Sequence, residues 1–204
     1  MRFFVLPLAV FALTVPSAAA AAATFTPDDE ARIVGLSSPV FAPDGGHIAV
    51  VRTIQDTKAD KSHTALVTVD VATGALRALT AKVEGIAQPA YSPDGKQLAF
   101  LSFDKNHQRQ IQLMTAAGGT ARAVTKVKFG VQQFAWRPDG RALAYITQDD
   151  PPARIAQHRD FIEITNDDYL SRSNDPPSHL WLVNADGSGA RRLTSGTWSA
   201  ATSY

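Results

Sequence analysis

The sequence contains no cysteine, no excess of charge of one sign, and no apolar run long enough to cross a membrane. Without cysteine there are no disulfides, thiolate nucleophiles or cysteine-ligated metal sites. The formal net charge is +1 and no run is rich in Lys and Arg, so the phosphate-neutralising surface of nucleic-acid-binding proteins is absent. With 45% hydrophobic and 19% charged residues among 204, the composition is that of a globular protein that can bury a core.

The longest apolar run, Phe3 to Val15, spans thirteen residues, whereas a membrane-spanning helix needs about 18 or more. Arg2 precedes this run and a string of small residues follows it, with cleavage expected between Ala20 and Ala23. This layout predicts a secretory signal peptide over residues 1–23 rather than the alternative, a membrane anchor. We therefore expect a periplasmic or secreted protein, residues 24–204, with no membrane association after removal of the signal.

One turn occurs three times, in FAPDGGHIAVVRT (41–53), YSPDGKQLAFLSF (91–103) and WRPDGRALAYITQ (136–148). Proline presets φ for the first corner of a type I turn, aspartate tolerates the second, and glycine takes the left-handed position that closes a hairpin. The predicted turn residues are Pro43, Asp44, Gly45, Pro93, Asp94, Gly95, Pro138, Asp139 and Gly140. The aspartates lack a second carboxylate at a fixed offset, which favours the turn role over the alternative of metal ligands or acids.

The aspartates of these turns are 50 and 45 residues apart, a period typical of repeat architectures. A second repeated phrase follows each turn and ends in Leu-Thr or Val-Thr, at Thr80, Thr125 and Thr194. Each period thus carries four strands, and the second of them is apolar at nearly every position, as in sheets buried on both faces. We predict an all-β fold of four-stranded antiparallel β-propeller blades, approximately 36–80, 86–125 and 131–194, in preference to a sandwich or barrel.

Propellers close with typically four to eight blades, whereas this sequence contains three. In the first two junctions the next turn aspartate comes 14 residues after the closing threonine, which places the following one at position 208. We therefore expect an incomplete propeller, apparently truncated, that includes the start of a fourth blade.

The third blade carries an insertion, residues 149–178, between its second and third strands. The distance from Thr125 to Thr194 is 69 residues, compared with 45 from Thr80 to Thr125. Long insertions in rigid scaffolds often carry function, so this segment is the candidate binding element. The alternative is a solvated excursion without a binding role.

The start of the mature chain, FTPDDEARIVGLSSPVFAPDG, favours a short helix capped by Thr26 that leads into the first blade. Together with blades of the SPDG...LAF...LT type, it resembles the amino-terminal propeller of the prolyl oligopeptidase family of serine peptidases, nearest to the acylaminoacyl-peptidase and dipeptidyl-aminopeptidase-like branch. The resemblance covers residues 25–204. The insertion before His179, Leu180 and Trp181 resembles an extended segment of that branch, although the same turn words also occur in TolB-like propellers, whose blades are compact.

The resemblance implies that the propeller caps an α/β-hydrolase domain and restricts its active site to short peptides. That domain needs a G-x-S-x-G nucleophile elbow, which is absent here, since DGSGA at 186–190 lacks the second spacer. The five histidines are predicted to be surface or turn residues rather than bases: His47, His63, His107, His158 and His179. We expect no catalytic residue, metal or cofactor in this chain, which is predicted to be inactive alone.

The expected partners are a peptide substrate and the hydrolase domain. Arg154, Arg159 and Glu163 of the insertion are the candidates for contact with peptide termini or with that domain, and the alternative is a solvated charge run. Two other interpretations stay open: a non-enzymatic TolB-like periplasmic propeller that binds proteins, and a truncated product without a function.

Overall fold

The computed structural model describes residue 29 and residues 33–56, 59–81, 83–150 and 176–200. These residues form three four-stranded antiparallel sheets, and the strands of each sheet follow one another in the sequence. Sequential four-stranded sheets of this kind are propeller blades. The prediction of an all-β, incomplete propeller is confirmed.

The order of the strands is the same in every blade, and their lengths range from two to ten residues. Blade one contains β1 (Val34–Phe41), β2 (His47–Asp56), β3 (Lys61–Asp70) and β4 (Leu76–Ala78). Blade two contains β5 (Ala87–Tyr91), β6 (Gln97–Phe103), β7 (Arg109–Thr115) and β8 (Arg122–Ala123). Blade three contains β9 (Gln133–Trp136), β10 (Ala142–Gln148), β11 (Ser178–Asn184) and β12 (Arg191–Arg192). The predicted signal peptide, and the predicted helix apart from Asp29, lie outside the described residues.

The three repeated turns share one geometry. In the second turn, the Gly95 amide donates to the Ser92 carbonyl at 2.8 Å, and the Lys96 amide donates to the Asp94 carboxylate at 3.1 Å. The corresponding amide-to-carboxylate distances in the first and third turns are 2.9 and 3.0 Å. Each glycine has a φ near +70°, a conformation that side-chain-bearing residues rarely adopt. Each aspartate therefore stabilises its own turn by accepting a hydrogen bond from a backbone amide of that turn.

The threonine that ends each repeat caps the third strand of its blade. The hydroxyl oxygens of Thr80, Thr125 and Thr194 accept hydrogen bonds from the strand amides 14 residues earlier, at 2.9, 2.9 and 3.0 Å. A buried amide without a partner would destabilise the fold, because it loses its hydrogen bonds to water. The threonine of the repeated Leu-Thr or Val-Thr phrase is thus explained, because its hydroxyl accepts from a strand amide that has no partner in the sheet.

The core lies between neighbouring blades, and β6 contributes to it on both faces. Leu98 and Phe100 belong to the cluster shared with blade one, while Ala99 and Leu101 belong to the cluster shared with blade three. All four are at most 1% exposed. Burial on both faces explains why this strand is apolar at successive positions instead of alternating.

Arginines on the short fourth strands connect each blade to the next one. Arg77 donates to the carbonyl of Ala117 in blade two at 2.6 Å, and Arg122 donates to the carbonyl of Ala185 in blade three at 2.5 Å. Arg191 is the equivalent residue of blade three, and its side chain has no such bond within the described part of the chain. These contacts join blades through the turns at one end of the propeller.

Candidate functional site at the insertion face

The two ends of the blades differ. One end carries the three proline-containing turns, and the other carries the connections between the second and third strands, which we call the insertion face. In blade two this connection is a tight turn, closed by the Asp104 amide donating to the Gln108 carbonyl at 2.9 Å. In blade three the equivalent bond, from the Asp149 amide to the Pro177 carbonyl at 2.9 Å, closes a much longer segment.

The predicted contact residues Arg154, Arg159 and Glu163 lie outside the described residues, as do residues 151–175 as a whole. Both ends of the insertion are described. The structure therefore shows how the insertion is attached, through Gln148–Asp150 on one side and Pro176–His179 on the other.

The attachment is held by hydrogen bonds and an ion pair to two other segments, the residues after β12 and the connection between blades two and three. The Ala200 amide donates to the Ser178 carbonyl at 2.8 Å, and the Ser178 amide donates to the Ser199 hydroxyl at 2.9 Å. Gln132 of the blade-two to blade-three connection donates to the Ser178 hydroxyl at 2.8 Å. Lys128 pairs with Asp150 at 2.9 Å, although both side chains are mostly exposed.

A cluster of three charged or polar side chains lies at the foot of the insertion, and we call Asp149, His179 and Arg192 the stem cluster. The Nδ1 atom of His179 lies 2.9 Å from Oδ2 of Asp149, and Nη2 of Arg192 lies 3.0 Å from the same oxygen. Because a carboxylate oxygen only accepts, Nδ1 carries the proton and donates to Asp149. The guanidinium of Arg192 then also donates to Asp149 and not to the ring.

The prediction that His179 is a surface or turn residue is wrong. Its side chain is fully buried, with the edge of its ring against Trp198 at a centroid distance of 5.3 Å. His179 is equivalent to the buried Gln110 of blade two. Each of these residues immediately precedes the strand amide that donates to the closing threonine of its blade. The burial of His179 depends on Asp149 and Arg192, which are distant in sequence. The polarity of the residues next to His179 therefore did not predict it.

Blade two uses the same position differently. The Gln110 amide nitrogen donates to Asp104 at 3.3 Å and to the Val127 carbonyl at 2.8 Å, and its oxygen accepts from Thr125. Hydrogen bonds from the backbone amides of Gln108 and Asn106, and from Gln110, hold the pKa of Asp104 below its ordinary value. The Nε2 atom of His179 has no partner among the described residues, so the imidazole cannot reproduce the full set of bonds made by the glutamine.

A polar cavity of about 340 Å³ opens on the insertion face between blades two and three. Its wall includes Gln88, Phe103 and Arg109 from blade two, and Phe129 and Gln133 at the start of blade three. Arg109 lies over the Phe103 ring, with its Cζ atom 5.3 Å from the centroid. This cavity is formed by residues distant in sequence and was missed by sequence reasoning.

No group of three or more His, Asp or Glu side chains that could hold a metal ion occurs among the residues that the structure describes. In the same part of the chain, no helix has the length and apolar character needed to cross a bilayer.

A family model described as "TolB beta propeller domain" matches residues 29–179. The "Uncharacterized peptidase YuxL" of Bacillus subtilis (strain 168) is 32% identical over 93 residues, which cover 46% of this chain and 14% of that protein. The acylaminoacyl peptidase of Pyrococcus horikoshii superposes with a TM-score of 0.60 and 21% identity over 80% of this chain and 25% of that one. TolB from Acinetobacter baumannii superposes with a TM-score of 0.53 and 22% identity over 80% of this chain and 33% of that one.

These comparisons confirm both resemblances predicted from the blade motifs, to peptidase propellers and to TolB-like propellers. At such identities the solved structures show a shared fold. The chain spans about a quarter or less of the two peptidases, so the activity of a whole protein is a separate question.

Proposed function

Because the chain belongs to the family of TolB beta propeller domains, we propose that it is the propeller portion of a secreted or periplasmic serine peptidase. In this role it selects short peptides and controls their access to a catalytic α/β-hydrolase domain that lies outside this chain. It contributes no catalytic residue of its own.

The observation that carries this proposal is the attachment of the insertion. A selecting element must keep its position while peptides pass, and selection by a loop therefore requires a stiff base. The stem cluster and the bonds of Ser178 supply such a base at one end of a stack of blades. Compact blades offer no comparable element, as the tight turn of blade two illustrates.

One comparison supports the peptidase assignment. A protein described as a peptidase matches this chain with 32% identity over 93 residues, 46% of this chain. The predicted signal peptide supports export, and it is a prediction from residues 1–23 alone. Arg154, Arg159 and Glu163 are proposed contacts for peptide termini or for the hydrolase domain, on the grounds of their charge and their place in the insertion.

The family match itself favours a second candidate, a non-enzymatic periplasmic propeller that binds protein partners. The likeness to TolB covers 80% of the chain, the same share as the likeness to the acylaminoacyl peptidase. Blade geometry is common to both, and only the presence of a hydrolase domain in the mature protein distinguishes them.

The test uses an antibody raised against this chain and an extract of the organism that makes it. The antibody gives the mass of the mature protein, and a fluorophosphonate probe, which labels activated serines, is applied before immunoprecipitation. A sample pre-treated with an unlabelled serine-hydrolase inhibitor is the control for specific labelling.

We expect a band several-fold heavier than the 21.8 kDa of this chain, and we expect the probe to label it. A heavier band that the probe does not label would support the TolB-like candidate instead. A band at or just below 21.8 kDa would overturn both the peptidase proposal and the assignment of a missing hydrolase domain.

A further inference from the structure

The cavity between blades two and three contains a set of side chains that the selection role above does not use. It lies on the insertion face, at the ends of the innermost strands β5 and β9, and it is lined by one cation, several amides and two aromatic rings. From this combination we propose that the cavity binds the carboxylate end of a short peptide.

The charge of the cavity favours an anion. Arg109 is exposed and forms no ion pair with any described residue, and the cavity wall contains no aspartate or glutamate. Contact with Phe103 restricts the guanidinium, so that less freedom is lost when it forms paired hydrogen bonds with a carboxylate. A planar guanidinium matches the two oxygens of a carboxylate, which distinguishes this end of a peptide from its amino end.

The amides favour a peptide over a simple anion. Gln88 and Gln133 lie at equivalent positions, each six residues before the turn aspartate of its blade, and both line the cavity. Their side-chain amides have no hydrogen-bond partner among the described residues. Each amide offers one acceptor and two donors, which is the complement of the C=O and N–H of a peptide group.

The backbone at Gln88 directs its side chain into this space. Its φ is +48° although it is not a glycine, and it lies in an irregularity of β5 between Ala87 and Ala90. Such bulges re-aim a side chain. Ser38 has the same conformation at the equivalent position of blade one, whereas Gln133 of blade three is paired in regular register with Ile146, so blade two combines the bulge with a long side-chain amide.

The size of the cavity limits the ligand. Pockets for small ligands measure roughly 300–1,000 Å³, and 340 Å³ lies at the lower end of that range. Phe103 and Phe129 supply apolar surface for one side chain. The cavity therefore suits the last residue or two of a peptide, with the rest of the peptide extending along the insertion face.

The choice of a peptide as the ligand rests on the proposed function, whereas the preference for a carboxylate rests on the cavity alone. The experiment measures binding to the 204-residue chain by isothermal titration calorimetry. The probes are two acetylated tripeptides, acetyl-Ala-Leu-Phe with a free carboxylate and the same peptide with a carboxamide end.

We expect the carboxylate peptide to bind about tenfold more tightly than the carboxamide, as a charge-assisted pair in a partly enclosed site would give. Arg109→Gln should abolish this difference. Arg141→Gln, an exposed arginine beside the turn at the opposite end of blade three, is the matched control and should leave it unchanged. Gln133→Leu should weaken both peptides about equally, because its amide faces the peptide group rather than the carboxylate.

Equal binding of the two peptides, no binding of either one, or a carboxylate preference that survives Arg109→Gln would each overturn the inference. The comparison of the two peptides on the unaltered chain remains decisive if the variants do not fold. If fluorophosphonate labels the parent protein but this chain shows no preference for the carboxylate peptide, the site is refuted and the peptidase proposal stands. If this chain prefers the carboxylate peptide but the parent protein is not labelled, the peptidase proposal is refuted and the site stands.

Discussion

Replacement of Asp149 by alanine removes the acceptor that the other two members of the stem cluster share. The carboxylate oxygen accepts from the buried Nδ1 of His179 at 2.9 Å and from Arg192 at 3.0 Å. The backbone bond of residue 149 to the Pro177 carbonyl is retained in the variant. The effect of Asp149→Ala therefore measures the stem cluster itself.

The expected magnitude follows from the exposure of the partners. A buried donor that loses a charged acceptor destabilises by about 1.5–3 kcal/mol. Arg192 is 35% exposed, so its pair with Asp149 adds no more than about 0.5 kcal/mol after solvent screening. The sum, about 1.5–3.5 kcal/mol, corresponds to roughly 10- to 300-fold more frequent opening of the attachment of the insertion.

Native-state hydrogen exchange is the assay, because it measures local opening. The reporter is the Ala200 amide, which donates to the Ser178 carbonyl at the base of the insertion. The Ala116 amide, at the other end of blade two, should exchange at an unchanged rate. The neighbouring Asp150→Ala is the matched variant, since Asp150 is 75% exposed and its one ion pair with a described residue is to the exposed Lys128.

We expect Asp150→Ala to change the exchange of Ala200 by less than about threefold. The reasoning would be refuted if Asp149→Ala and Asp150→Ala had equal effects, or if Asp149→Ala changed Ala200 by less than threefold. If the exchange of the Ala116 amide increased as much as that of the Ala200 amide, the substitution would have destabilised all three blades and not only the attachment of the insertion.

Three further predictions concern the repeat. Arg122→Ala should lower the free energy of unfolding in urea by about 1 kcal/mol through loss of its bond to blade three, whereas Arg191→Ala should have no measurable effect. Thr125→Val should destabilise by about 1–3 kcal/mol in the same assay because a strand amide loses its acceptor, and Thr125→Ser should restore most of that stability. Hydrogen bonds from the Ser92 hydroxyl, and then from the Lys96 amide, hold the pKa of Asp94 below its ordinary value. The ionised carboxylate therefore stabilises the fold above the ordinary pKa of an aspartate, and this contribution is lost as pH falls through the lower pKa of the folded state. Ser92→Ala should raise the pKa of Asp94 in a carboxyl NMR titration, and an unchanged pKa would contradict the assigned cause.

The blade architecture could be predicted from sequence because it depends on local chemistry repeated three times. The turn needs proline, aspartate and glycine at successive positions, and the continuous apolar run in β6 indicates burial on both faces. The assignment of alternate β6 residues to two inter-blade clusters agrees with that prediction. Each of these features is visible within a window of about fifteen residues.

The candidate site could not be predicted in the same way, because its members meet only through the fold. His179 lies 30 residues after Asp149 and 13 before Arg192. It belongs to the His-Leu-Trp stretch noted in the sequence, but nothing in that stretch indicates a contact with Asp149 or Arg192. One sequence feature could have indicated the cluster: Arg192 replaces the alanine found at the equivalent positions, Ala78 and Ala123. The cavity is formed by residues separated by up to 45 positions, and no local pattern indicates it.

The two ends of the blades also differ in how much change they tolerate, and this difference determines where function can arise. The proline-containing turns pack on one another: a Cβ added at Gly95 would lie 3.4 Å from Cδ of Pro43, and one at Gly140 would lie 3.6 Å from Cδ of Pro93. Lengthening one of these turns would therefore displace the next blade. Among the described residues, the connection of blade two, residues 104–108, makes no hydrogen bond or ion pair with the connection of blade three. Blade three accommodates its long segment there without altering the pairing of β10 with β11, which continues in register from Ala142 to Gln148. A repeat built on these rules can acquire a binding element at the insertion face at little cost to the core, whereas the opposite end is restricted to the turn that closes it.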